Sequence, residues 1–195
     1  LHLSLDIFIV GCTIALRVSD LFNLYPKDIT KIGDYYYLQN RSQKTETNTR
    51  VRLPDYAVNI LEKYKSTKKI KKKLYPSISL NQFNKNLKLI AQHAGWTHLV
   101  GKTRSRQGKT SELFIPGNKE TYRFCDLMSS HVMRRTAVTT MLILGMPEHL
   151  VRKISGHSAN SQAFFRYVNY AQSFLDNEIG KVHQKMESGY SNPTT

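Results

Sequence analysis

The chain is poor in residues that build covalent or metal staples. Its two cysteines, Cys12 and Cys125, lie far apart in 195 residues, with no C-x-x-C spacing and no histidine cluster beside them. That argues against a disulfide framework and against a zinc site, and leaves buried thiols as the expectation. No apolar run approaches the roughly 18 residues of a membrane-spanning helix, and no signal-peptide pattern opens the chain. A soluble, intracellular protein without a membrane partner is expected. An initiator Met is also missing, and the start at Leu1 inside an apolar run is read as the start of a fragment of a longer protein. Carboxylates are scarce as well: 14 Asp+Glu stand against 29 Lys+Arg, a formal net charge of +15. Such an excess on a small chain points to a polyanion. No amphipathic stretch sets the lysines opposite Trp or Phe, so nucleic acid fits better than an anionic membrane.

What is present is enough apolar sequence for one domain with a full core. Residues 1–16, LHLSLDIFIVGCTIAL, predict a buried helix interrupted by Gly11, then a second short helix capped by Ser19, with Arg17 at the junction. Three short antiparallel strands fit residues 29–32, 35–38 and 49–53. Pro54 opens a helix with Tyr56, Ile60, Leu61 and Tyr64 on one face, and the lysine run of residues 65–73 reads as a flexible basic connection. Ser79 and Gln82 form a capping box for a helix that turns Leu80, Phe83, Leu87 and Ile90 to the core, with Asn86 and Lys88 facing away. A second basic hairpin or loop is expected around TRSRQGKT. After Tyr170, the helical spacing of Leu175, Ile179, Val182 and Met186 predicts an amphipathic terminal helix, and residues 188–195 a disordered tail.

The chain is organised around residues 129–170. This stretch reads as a helix opening at Ser129/Ser130, a stop at Gly145, a short helix begun by Pro147, a turn at Gly156 and a further helix from about Ser161. His131 and Arg134, three apart, share a face. His157 lies in the turn, and Tyr167 follows the apolar pair Phe164 and Phe165. Two histidines, an arginine and a tyrosine suit attack on a phosphodiester by a tyrosine hydroxyl. A guanidinium fork neutralises charge on the non-bridging oxygens, and a phenol of ordinary pKa near 10 needs a base as it attacks. Tyr170 is the rival nucleophile to Tyr167.

The order H-x-x-R, L-G-M, S-G-H-S and a tyrosine ten places on is similar to the C-terminal half of the tyrosine recombinases, also called the lambda-integrase family. The F-F-R-Y-V and S-G-H contexts look most like integrases of Bacteroides-type mobile elements. Upstream, G-C-T-I-A-L-R-V-S-D-L resembles the family's first arginine motif and S-Q-K-T its hairpin lysine motif. The resemblance spans Leu3 to Lys185. It implies an α+β, mainly helical catalytic domain over residues 1–187, with a small three-stranded antiparallel sheet at one edge and the N-terminal DNA-binding domains absent. The implied catalytic residues are Arg17, Lys44, His131, Arg134, His157 and Tyr167, with Asp20 as a carboxylate orienting the cations. Arg17 and Arg134 would clamp the scissile phosphate, His157 would donate a third hydrogen bond, and His131 would act as base. Lys44 would protonate the leaving 5′ oxygen, and the product would be a 3′-phosphotyrosine. No metal, cofactor or small-molecule substrate is implied. The implied partners are double-stranded DNA and further copies of the chain, a tetramer on DNA, in the bacterial cytoplasm at the nucleoid. Ala15 stands where the family commonly has glycine, a departure expected to affect the helix end more than the chemistry. Two other readings stay open. One is relaxation of DNA by a type IB topoisomerase-like enzyme. The other is a helix-turn-helix-like regulator, which explains the charge but neither Arg17 nor Lys44.

Overall fold

Helix α1 (His2–Ile14) runs through the middle of the molecule, as its apolar composition requires, with Ile7, Val10 and Ile14 wholly buried. The computed structural model describes residues 1–41, 48–65 and 72–190. Gly11 does not interrupt α1. A Cβ there would lie 2.5 Å from Met133 Sδ and 3.1 Å from Met133 Cβ, so the glycine instead lets a later helix approach closely. Helix α1 ends at Ala15 in the left-handed region, φ 57°. Helix α2 (Val18–Phe22) starts with Arg17 at its N-cap position, without a side-chain cap, and Ser19 lies inside the helix.

After a 3₁₀ turn at Pro26–Asp28 come β1 (Ile29–Ile32), β2 (Tyr35–Arg41) and β3 (Asn48–Arg52), an antiparallel sheet in the order β1-β2-β3. Alternation turns Ile29, Leu38 and Val51 inward. On the outer face Arg50 lies 4.4 Å over the Tyr37 ring and Arg52 3.2 Å over Tyr35. In α3 (Asp55–Glu62), Ile60 and Leu61 are buried. Tyr56 is exposed, contrary to the expected face, and its hydroxyl pairs with Thr13 Oγ1 at 2.8 Å. Most of the lysine run, residues 66–71, lies outside the described residues.

Helix α4 (Leu80–His93) is capped by Ser79, which accepts from the Gln82 N–H. The return half of the expected box is absent, since the Gln82 amide donates to Asn86 at 2.8 Å instead. Asn86 in turn donates to Ser4 Oγ of α1, so it faces the core side, whereas Leu80 is exposed. Short strands β4 (Leu99–Val100), β5 (Lys102–Arg106), β6 (Lys109–Leu113) and β7 (Tyr122–Arg123) follow; β4 pairs with β7 and β5 with β6. The β5–β6 turn places Gln107 and Gly108 at φ 50° and 76°, the positive pair that a two-residue hairpin turn matching strand twist requires.

A 3₁₀ turn at Phe124–Leu127 leads into α5 (Ser130–Ile143), α6 (Glu148–Ser155) and α7 (Gln162–Tyr190). Gly145 and Gly156, at φ 86° and 64°, end α5 and α6. A large core gathers α1–α4 and the three-stranded sheet. A smaller one holds α5–α7 together through Val138, Leu142, Val151 and Phe164, with Ala15 buried in it. Past Ala171, α7 leaves this core, and it remains helical through residues 188–190 of the expected tail.

Candidate active site

Two helix C-termini meet at one arginine. A helix leaves its last carbonyls without intrahelical donors. Here the carbonyl at the end of α1 and those at the end of α6 are met by guanidinium groups. Arg134, in the second turn of α5, donates from Nη1 to Ala15 O at 2.9 Å and from Nη2 to Ser155 O. Arg17 Nη2 reaches Gly156 O at 3.4 Å. These contacts hold the Arg134 fork while leaving N–H donors for a ligand. Burial, then the like charge of Arg17, push the Arg134 pKa down to about 10, with Tyr167 and the Asp20 carboxylate acting in the opposite sense. Arg134 stays charged at neutral pH, with a second cation, Arg17, acting against it. An anionic oxygen placed between the two guanidinium groups would relieve both the desolvation and the repulsion.

His157 lies across the same fork, its ring nitrogens 3.3 and 3.5 Å from Arg134 Nη2. The Gly156 turn puts it there, and its N–H closes α6 on Arg152 O at 3.1 Å. Burial first, then Arg134, Arg17 and Arg152, lower its pKa to about 4, so the ring is neutral at physiological pH. Ser155 Oγ lies 2.7 Å from His157 Nδ1 and 2.6 Å from Val151 O. With the hydroxyl hydrogen on Val151 O, Nδ1 keeps the imidazole proton and Nε2 is an acceptor. With it on Nδ1, Nε2 carries the proton and becomes a donor. The Ser155 contacts suit both, and the Arg134 Nη2 at 3.3 Å, a donor only, favours the form in which Nε2 accepts until a ligand takes up that donor.

Tyr167 packs against the same ring. Its centroid is 5.8 Å from that of His157 and 6.4 Å from that of Phe164, which is wholly buried and anchors α7. Arg152 spans the connection between α6 and α7. It donates to Ser158 O and Ala159 O at 3.2 and 3.0 Å, and its guanidinium carbon lies 3.9 Å from the Phe164 ring centre. Two further residues shape the site: Ser155 opens the S-G-H motif, but its spacing assigns it no role, and Arg152, four residues after Glu148, reads as an ordinary exposed helix pair.

The structure therefore brings Arg17, Arg134, His157 and Tyr167 together, with Asp20 buried behind them on α2. His131 does not join them by contact. It is exposed in the first turn of α5, and among the described residues no hydrogen bond ties it to Tyr167. Lys44 falls at positions 42–47, outside the described residues. Beside that segment, Thr49 Oγ1 of β3 donates to Ile154 O at 3.2 Å, fastening the sheet to the end of α6. Tyr170 is exposed, and its ring lies 5.7 Å from the Arg135 guanidinium, on a different side of α5 from Arg134. Cys125 is buried and Cys12 half-buried, both free thiols, and burial pushes Cys12 up to about 11. No group of three or more His, Cys, Asp or Glu among the described residues is placed to hold a metal ion.

The profile of the phage integrase family matches residues 8–173. Transposase B from transposon Tn554 of Staphylococcus aureus (strain Mu50 / ATCC 700699) is 36% identical over 67 residues, which is 34% of this chain and 10% of the transposase. Among solved structures, XerH site-specific recombinase bound to palindromic difH substrate in a post-cleavage complex superposes with a TM-score of 0.58 and 16% identity, over 90% of this chain and 44% of that one. XerA recombinase gives a TM-score of 0.50 and 15% identity, over 88% and 63%. At such identities the likeness is one of fold. The chain spans less than half of XerH and a tenth of the transposase.

Proposed function

The chain belongs to the phage integrase family, and on that premise we propose that it is the catalytic part of a site-specific recombinase, cleaving and rejoining DNA through a 3′-phosphotyrosine on Tyr167. The observation that carries this reading is the half-buried, carbonyl-held fork of Arg134, with Arg17, His157 and Tyr167 around it. Two guanidinium groups with a tyrosine packed against the histidine beside them suit a phosphodiester better than any neutral substrate. Arg17 and Arg134 neutralise the non-bridging oxygens as charge develops on them, and His157 supplies a further hydrogen bond. Removing one such donor typically costs about 10²–10³ in rate. His131 serves as base for the Tyr167 hydroxyl. Lys44 protonates the leaving 5′ oxygen, a general-acid contribution of about 10²–10⁴. Asp20 orients the two cations from behind. The phosphotyrosine conserves the energy of the broken bond, so a 5′ hydroxyl of another strand can reseal it without a nucleotide cofactor.

The reading extends to integration or excision of a mobile element, and to a homo-oligomer, a tetramer on DNA. Leu175, Ile179, Val182 and Met186 form an apolar stripe on α7 with each residue 43–58% exposed, a surface that suits burial against another copy. No helix among the described residues is long and apolar enough to cross a membrane. We place the protein at the bacterial nucleoid, where its substrate is.

The test is a nicked duplex carrying the cognate site, incubated in EDTA with the intact protein, with adducts resolved on a denaturing gel and mapped by mass spectrometry. The expected result is an adduct at Tyr167, lost in Tyr167→Phe and kept in Tyr170→Phe. DNA bound with no adduct on a verified site would favour a regulator, and relaxation without exchange between two sites a topoisomerase-like activity.

A further inference from the structure

The β5–β6 hairpin takes no part in the chemistry described above, yet it segregates charge sharply. Lys102, Arg104 and Arg106 alternate along β5 and so share a face. Their antiparallel partners put Ser111 and Lys109 on that face too, with Arg106 directly opposite Lys109. The hairpin's one acid, Glu112, pairs with Thr103 on the other face, beside the hydroxyl pair Ser105–Thr110 at 2.9 Å. Like charges directly opposite in a hairpin destabilise it. Arg50 and Arg52 of the three-stranded sheet are covered by tyrosine rings, and Lys102 lies 4.8 Å over Tyr122 at the hairpin root. Arg104, Arg106 and Lys109 are exposed, and no ion pair among the described residues involves them.

We infer that this face is a docking surface for the phosphate backbone of double-stranded DNA, separate from the scissile phosphate. The inference rests on the DNA reading of the preceding subsection. Alternate strand residues are spaced by about 6.8 Å, longer than the roughly 3.4 Å axial rise per phosphate of one DNA strand and comparable to the separation of neighbouring phosphates along a backbone that winds round the axis, so successive cations can follow one backbone. The hairpin is braced at its root: Phe124 and Cys125 donate to His98 O and Trp96 O, each at 2.9 Å, and the chain then runs directly into the Ser129 cap of α5. Five residues of strand reach about 17 Å from that root. The hairpin thereby positions flanking DNA without reading its sequence.

The experiment measures binding of the chain to a labelled 30-base-pair duplex of arbitrary sequence by fluorescence anisotropy, across salt from 50 to 200 mM. Each phosphate contact contributes about 0.9 to the slope of log K against log salt. Replacing Arg104, Arg106 and Lys109 by Gln, which keeps the stems and removes the charge, should lower the slope by about 2.7 and make the fourfold salt increase about 40-fold less damaging. Arg104→Gln alone should lower it by about 0.9. A triple variant of the opposite face, Thr103, Ser105 and Thr110 to Ala, should behave as wild type. Melting curves matching wild type verify that the variants fold. A wild-type slope in both glutamine variants overturns the hairpin surface and leaves the DNA reading intact. Failure of the wild-type chain to bind the duplex even at 50 mM salt overturns both.

Discussion

His157 is neutral at physiological pH because burial, then Arg134, Arg17 and Arg152, hold its pKa at about 4. Whether it donates or accepts therefore depends on which nitrogen keeps its single proton. A donor to phosphate needs the proton on Nε2, which requires Ser155 to turn its hydroxyl from Val151 O to Nδ1. Ser155 acts as a positioning residue. Ser155→Ala is expected to slow cleavage about 10- to 100-fold, the usual cost of an outer partner that sets a histidine tautomer, with DNA affinity unchanged. ¹⁵N NMR of His157 should show the tautomer ratio moving; an unchanged ratio and rate would remove Ser155 from the mechanism. The same pKa gives a stability signature. The unfolded ring takes up a proton near pH 6.5, whereas the folded ring resists until about pH 4. The contribution is complete above pH 6.5 and is lost as pH falls, by on the order of 1 kcal/mol at pH 5 once solvent screening of a half-buried ring is allowed for. Urea denaturation of wild type and His157→Gln at pH 7 and pH 5 measures it, and the variant should lose less stability on acidification. The residue types at this site were legible from their motifs. The roles of Ser155, the first residue of S-G-H, and of Arg152 were not, since they depend on the turn these residues face.

At the scale of elements, the site is a meeting of ends. Helices α1 and α6 point their C-terminal carbonyls at Arg134, and α5 carries that residue past them. The approach depends on Gly11, where a Cβ would press into Met133, the residue before Arg134. Gly11→Ala should improve helix propensity by about 1 kcal/mol, but overpack by about 1–3 kcal/mol. A net destabilisation in urea is expected, together with slower cleavage as Arg134 shifts. Equal or greater stability would show that the flexible Met133 sulfur yields without moving α5. The helices and strands were legible because each carries a local period and a local stop. The function of Gly11 was not, because an apolar helix containing glycine reads alike whether the glycine breaks it or lets a neighbour in. The Ser19 and Gln82 caps misread for a related reason: both side chains fit a capping pattern, and the backbone start at Arg17 and the nearby Asn86 decided otherwise.

For the whole molecule, net charge and exposed surface carry the argument. Helix α7 leaves its own core after Ala171 with an apolar stripe uncovered. Replacing Ile179 and Val182 by Asp should change monomer stability by only about 0.5 kcal/mol, as at other exposed sites. It should also abolish assembly of several copies on DNA, read by sedimentation velocity. A large loss of monomer stability, or unaltered assembly, would contradict the reading of the stripe as a contact between copies. The sequence showed the stripe but left open whether it packs on its own domain, since periodicity identifies an apolar face without naming its partner.

Composition and order, by themselves, determined that the chain is basic and mainly helical, with a small antiparallel sheet, and that arginine, histidine and tyrosine follow one another in the motif order of the family. Those features rest on charge counts and on spacings of two to four residues, which local sequence encodes directly. Only the tertiary structure decided that Arg134 is held by Ala15 O, 119 positions away, and by Ser155 O. It alone decided that Tyr167, not Tyr170, faces His157, and that α7 leaves its stripe uncovered. These contacts join segments remote in the chain. Their geometry follows from how helices pack and where their unpaired carbonyls come to rest, which no local pattern records.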